Sequence, residues 1–498
     1  MQAMLFRRLA IIYCGLFVGL FGSGYAQADT NESTAHISFK DCQIQLDAVE
    51  LDAQCSSFLR PEDPQKPNGK QIELFVTKIA AHSSKAEADA FTLIQGGPGG
   101  SSIDMLISYY PILQEVLQKR DLIVVDQRGT GRSNILACEQ PSEEQLQTVS
   151  FDPVETAENT KKCIEKNHSA DLKLYTTSIA VQDLDAVREA AGYEKLTVYG
   201  TSYGTRVAQH YMRRFPKQTR AVILDGVVHV GLNLAGGEIA RRSQGALDSI
   251  FKRCQADEQC AEQFGDLDQK FNALKTRLEE QVVEISLPHP VTAKTTTQKI
   301  SVQHLYAAVR LMPYSTEGIA LLPLLISQAY DGDYTLLAAQ AMNVEESFSD
   351  GYAIGMQNSV MCAEDFPFTQ ESDKQNLDST YFGNTMVEAL AVTCKHWPRG
   401  VMDDDFRSPF KSNIPVLILS GETDPITPPE NGEKALAMFD NSKHIVVPAH
   451  GHGVLSRGCM PALVSEFIEH SDLEQLNSAC VEREREMPIF IDNTGPRP

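Results

Sequence analysis

The chain has a single tryptophan in 498 residues, and aromatic side chains make up only 7% of it. Basic residues are also scarce. Forty-four Lys and Arg stand against 66 Asp and Glu, a net charge of −22 at pH 7. That surplus argues against nucleic acid and anionic membrane as partners. No Cys-x-x-Cys pair or clustered Cys/His spacing occurs, which excludes the common zinc frameworks; no metal or cofactor is expected. There is no low-complexity block and no repeat of fixed period, so neither a disordered chain nor a solenoid fits.

A long hydrophobic run is missing too. The stretch Leu9–Phe21 is apolar over 13 residues, short of the ~20 that span a bilayer. It follows Arg7 and Arg8 and precedes Ala26-Gln27-Ala28, a small-x-small cleavage site. This reads as a secretory signal over residues 1–28, with no stable membrane anchor and a periplasmic or secreted destination. Beyond Cys14 there are ten cysteines, an even number suited to disulfides in an exported protein. Short loop closure suggests nearest-neighbour pairing: 42–55, 138–163, 254–260, 362–394 and 459–480.

The pattern of the remainder is that of an α/β protein with a mostly parallel, doubly wound sheet. Strands are predicted at 72–79, 91–94, 121–125, 197–199, 221–226, 415–420 and 443–447, several of them fully apolar, with helical periodicity between. From about 230 to 405 the pattern turns mainly helical, with one Thr-rich extended interlude near 281–302. Strand signals then resume. The organisation expected is a first core part at 29–229, a cap at 230–405 and a second core part at 406–498.

The candidate chemistry lies at the ends of strands. Gly200-Thr201-Ser202-Tyr203-Gly204 joins a strand to a helix by a turn tight enough to need glycine on both sides of the serine. Asp424 follows a later strand and His452 the last one, in the order serine, acid, histidine. In such a set the imidazole takes the serine's proton and the carboxylate orients the imidazole. His450 and Asp225 are rivals for base and acid; the glycines flanking His452 and the turn-rich loop around Asp424 favour the latter pair. The loop Gln95–Ser101, four glycines and a proline after an apolar strand, offers backbone N–H groups for an oxyanion hole: one from Gly96 or Gly97, with Gly97 preferred, beside that of Tyr203. Three nearby features read as structural: Asp126, tied to Arg128 and Arg132; His210, on a helix surface; and Trp397, in the cap core.

Together GGPGGS, DQRGTGRS, GTSYGT, LDGV, SGETDPITPP and GHG resemble the proline iminopeptidase and tripeptidyl aminopeptidase family of α/β-hydrolases, from about residue 70 to the C terminus. The resemblance implies an α/β-hydrolase fold and a serine exopeptidase acting on peptides with a free N terminus. It also implies that Glu364, with Asp365 beside it, binds the substrate's ammonium as a carboxylate lacking a partner. Gln95 replaces a histidine found in many iminopeptidases, which points to the tripeptidyl branch. A carboxylesterase on the same triad and a catalytically inert binding protein are the competing readings.

Overall fold

The computed structural model describes residues 36–139, 151–289, 292–349 and 352–495, with side chains of 344–349 left aside. The expected leader at 1–28 lies outside the described residues. Nine strands form one sheet: β1 (Lys40–Leu46), β2 (Val49–Pro61), β3 (Gln71–Ile79), β4 (Ala90–Ile94), β5 (Leu122–Val125), β6 (Leu196–Thr201), β7 (Thr219–Asp225), β10 (Val416–Gly421) and β11 (Ser442–Val447). Their spatial order is β1-β2-β3-β5-β4-β6-β7-β10-β11. The strands from β5 to β11 in that order run parallel, and β1, β2 and β3 add antiparallel pairs at one edge.

Why these segments are strands is visible in where their side chains go. Along β6, β7 and β10, Val198, Val222, Leu224, Val416 and Ile418 enter one core, while Tyr199, Ala221, Ile223, Leu417 and Leu419 enter another. Period-two alternation with both sets apolar is what a sheet covered on both faces requires. Helices α3 (Thr177–Ala190) and α4 (Tyr203–Arg214) cover the first face. Helix α1 (Ser102–Tyr109) and the last helix, Met460–His470, cover the second. The hairpin β1–β2 escaped the sequence reading because it is polar and half exposed. One of its supports is the Cys42–Cys55 disulfide.

Among the described residues between β7 and β10, the regular elements are helices apart from the hairpin β8 (Val283–Pro288) and β9 (Thr295–Ile300), which is the extended interlude expected near 281–302. This insertion has its own apolar cluster, including Leu247, Phe271, Leu305, Leu325 and Leu337. Its final part departs from that pattern. Ala353, Met356, Val360 and Trp397 pack into the sheet's first core, so Trp397 is buried but not in the insertion's own cluster. All five expected cysteine pairs lie at bonding distance. Among the described residues no helix is long and apolar enough to cross a membrane.

Candidate active site

Ser202 sits where β6 gives way to α4, with φ 54° and ψ −125°. A serine rarely holds a positive φ, and the neighbours show what enforces it. A Cβ at Gly200 would come 2.3 Å from the carbonyl oxygen of Gly204, and one at Gly204 would come 2.2 Å from that of Ile94. The turn is therefore closed to any other residue at those two positions. Ser202 N–H donates to the carbonyl of Asp225 at 2.9 Å, fastening the turn to the end of β7.

The loops after β10 and β11 meet at the same sheet edge. Asp424 Oδ2 lies 2.7 Å from His452 Nδ1, and Oδ1 accepts the N–H groups of Ile426 and Thr427 at 2.8 Å each. Burial disfavours charge on both partners, but each counter-charge outweighs it. Asp424 is held below the usual carboxylate range and His452 above the usual imidazole range, both consistent with one ion pair. His452 Nε2 remains the ring nitrogen for a proton from elsewhere. Ser202 Oγ makes no hydrogen bond to His452 among the described residues, although the imidazole and the serine flank the same residues. Ser202 holds Asp225, and a Cβ at Gly226 would touch His452 Cε1 at 3.0 Å. Catalytic hydrogen bonds are often long before substrate binds.

The two rivals are accounted for by other contacts. Asp225 is fully buried and accepts the N–H groups of Val454 and Leu455 and the hydroxyl of Tyr199, so it anchors the loop that carries His452. His450 has Thr316 Oγ1 at 2.8 Å on Nδ1 and Glu484 Oε2 at 3.1 Å on Nε2. Thr427, which the sequence reading missed, bridges the pair: Oγ1 donates to Asp424 Oδ2 at 2.8 Å and lies 3.0 Å from His452 Nδ1. Its signal was local, a threonine three residues after an acid in a tight turn.

In the glycine loop, Gly96 N–H is taken by the side chain of Gln95 at 2.8 Å. Gly97, the donor expected beside Tyr203, follows it. Its φ of +116° and a Cβ position 2.8 Å from Gly99 N make it glycine-only. Asp126 holds this loop, though not through the expected ion pairs. It accepts from Ser101 Oγ, Ile103 N–H and Arg132 N–H, while Arg128 forms a buried bidentate pair with Asp183. His210 is likewise corrected: it is buried, packs on Phe406 and bonds Asp403 at 2.8 Å, and burial pushes its pKa down to about 4.

Glu364 and Asp365 lie beneath α4, both fully buried. Asp365 is in a bidentate pair with Arg206 at 2.7 and 2.8 Å and accepts Leu234 N–H. Glu364 accepts Thr177 N–H at 2.8 Å and Thr177 Oγ1 at 2.9 Å, with Arg206 at 3.6 Å. The expectation of a carboxylate without a partner is thus corrected. Two buried acids would cost several kcal/mol each if unpaired, and the chain supplies Arg206 instead. Burial raises the Glu364 carboxyl to about 7. Thr177 Oγ1 also meets Tyr203 Oη at 2.6 Å, so this acid is linked to the residue next to Ser202.

A cavity of about 620 Å³ opens behind Asp424, lined in part by Arg242, Pro313, Ile319 and Pro428. Neither Ser202 nor His452 lines it. Among the described residues no three His, Cys, Asp or Glu side chains are grouped to hold a metal.

Residues 89–262 match the model of the alpha/beta hydrolase fold, and residues 379–480 match that of the TAP-like proteins. The chain is a serine hydrolase of the α/β-hydrolase fold. This hydrolase is 25% identical to the tripeptidyl aminopeptidase of Streptomyces coelicolor over 92% of its own length and 88% of the relative's. It is 25% identical to serine protease Hip1 of Mycobacterium tuberculosis, over 79% and 82%. A third relative, 24% identical over 79% and 81%, is carboxylesterase B of Mycobacterium tuberculosis.

Proposed function

We propose that this hydrolase is an exported serine aminopeptidase that cleaves residues or short peptides from the free N terminus of peptides. The observation that carries the reading is the Asp424–His452 pair at the sheet edge where Ser202 is held in its strained turn. Ser202 Oγ attacks the carbonyl carbon while His452 Nε2 takes its proton, and the oxyanion forms against the N–H groups of Tyr203 and Gly97. His452 then returns the proton to the departing amine, leaving an acyl-enzyme. Water, deprotonated by His452, attacks the ester, and the serine recovers its proton as the acid leaves. Asp424 stabilises the imidazolium in both halves.

The helical insertion, at 230–405, is read as a cap over this edge. Relatives named tripeptidyl aminopeptidase, similar over most of the chain, support the preference for a free N terminus. The five cysteine pairs at bonding distance support export. Glu364, buried on Thr177 and beside Arg206, is taken up by the fold and is not given the ammonium-facing part, and Asp365 is committed to Arg206.

A carboxylesterase is the second reading, favoured by the third relative and by the protein partners that Glu364 already has. Hydrolysis of free and N-acetylated tripeptide anilides, compared with simple esters, separates the two. The peptidase reading expects the free amine to be preferred by at least tenfold. Equal turnover of free and acetylated forms would sink it.

A further inference from the structure

Arg310 lies in the helix Val302–Leu311, just before the turn Met312–Tyr314. That turn is docked directly on the His452 loop. His452 N–H donates to the carbonyl of Tyr314 at 3.0 Å, and the Tyr314 ring stands edge-on to the imidazole with centroids 4.7 Å apart. A Cβ at Gly451 would come 2.3 Å from the carbonyl oxygen of Pro313. On the other side of the site, Tyr352 Oη lies 3.2 Å from where a Cβ on Gly97 would stand. The helix end that carries Arg310 is thus held against the His452 loop through Tyr314, four residues on, and the charge of Arg310 is felt at Tyr314, Tyr352, Tyr381 and His452.

Arg310, half-buried, differs from the arginines that the fold buries. Arg120, Arg128, Arg188 and Arg206 are each paired with a carboxylate. Arg310 Nε is shut off from solvent without a hydrogen-bond partner. Its guanidinium has no ion pair among the described residues, in a chain with 66 acids against 44 bases. A half-dry, unsatisfied guanidinium is costly and persists where an anion completes it. Its planar fork suits a carboxylate, which it can bind through two parallel hydrogen bonds. A cation here also repels an ammonium, so it cannot serve the amino end of a peptide.

We propose that Arg310 receives a carboxylate of the substrate, either the free C terminus of a short peptide or an acidic side chain, and so selects anionic substrates at this site. The inference rests on the assignment of Ser202 and His452 as the reacting pair. It does not require that the scissile bond be a peptide.

The test uses the full-length protein and its Arg310→Gln and Arg310→Lys variants. Alanine tetrapeptide is compared with its C-terminal amide, a glutamate-containing amide with its glutamine counterpart, and monoethyl with diethyl glutarate. For the wild type, kcat/KM is expected to favour the carboxylate form by roughly 10–100-fold, as a hydrogen-bonded charge pair would. Arg310→Gln should erase that preference through KM while sparing the neutral member, and Arg310→Lys should restore part of it. The pair that shows the effect identifies the source of the carboxylate. No preference in the wild type, or an equal loss on charged and neutral members, overturns the proposal. Failure of the peptides alone, with the glutarate preference intact, counts against the peptidase reading and not against Arg310. Unchanged thermal melting of Arg310→Gln separates a lost contact from a lost fold.

Discussion

Asp424 and His452 form a buried ion pair whose 2.7 Å contact holds the imidazole above its ordinary pKa. The proton acceptor of the site is the neutral imidazole, so kcat/KM is expected to fall as pH drops through a value above 6.5. Asp424→Asn removes the charge that raises this value. The rate should drop by about 10⁴ and the acid limb should move to lower pH. An unmoved limb in the variant's pH profile would detach Asp424 from this histidine.

Thr427→Val deletes the hydroxyl shared by the pair while keeping shape. A hydrogen bond to a charged group supplies about 1.5–3 kcal/mol, so kcat should fall roughly 10–100-fold with KM little changed. Thr427→Ser is expected to recover most of the rate. Equal activity of all three would show that the bridge is incidental.

The raised carboxyl of Glu364 has a consequence for stability. Its pKa is about 7 in the folded protein against an ordinary 4.5. Between those values the folded state keeps a proton that the unfolded chain has released, so this group destabilises the fold as pH rises through that window. The full effect is on the order of 3 kcal/mol. Glu364→Gln mimics the protonated form and cannot ionise. Its melting temperature relative to wild type should therefore climb from pH 4.5 to 7.5. A difference that stays constant with pH would mean that the group is ionised throughout.

Two glycines should respond with opposite sign to alanine. At Gly204 the new Cβ meets a backbone oxygen at 2.2 Å, and neither partner can retreat. The loss should reach about 3 kcal/mol or more. At Gly245, within the helix Glu238–Ala256, nothing lies within 4 Å. There alanine should stabilise by about 0.5–1 kcal/mol. Denaturant unfolding of both variants checks the contrast, and destabilisation by Gly245→Ala would contradict the open space seen there.

What the sequence disclosed followed from how strongly local pattern constrains each element. The buried parallel strands were legible because both faces are apolar, as in Leu122–Val125. Gly200 and Gly204 were legible because a tight turn leaves no alternative. Helical periodicity identified the face on which His210 lies but not what covers it, and Phe406 and Asp403 arrive from almost 200 residues away. A separation of 159 residues hid the pairing of Arg206 with Asp365, which no local pattern announces. Thr427 was overlooked because a turn threonine is common. Only the fold brings His452 to it.

The C-terminal tail bears on how the protein is assembled. Ile489 and Ile491 belong to the apolar cluster of the helical insertion, and Phe490 N–H bonds the carbonyl of Ala320. Residues 489–491 therefore close a core begun more than two hundred positions earlier. The insertion cannot complete its packing on the ribosome as soon as its own sequence has emerged. It must wait, partly open, until residues 489–491 have been made.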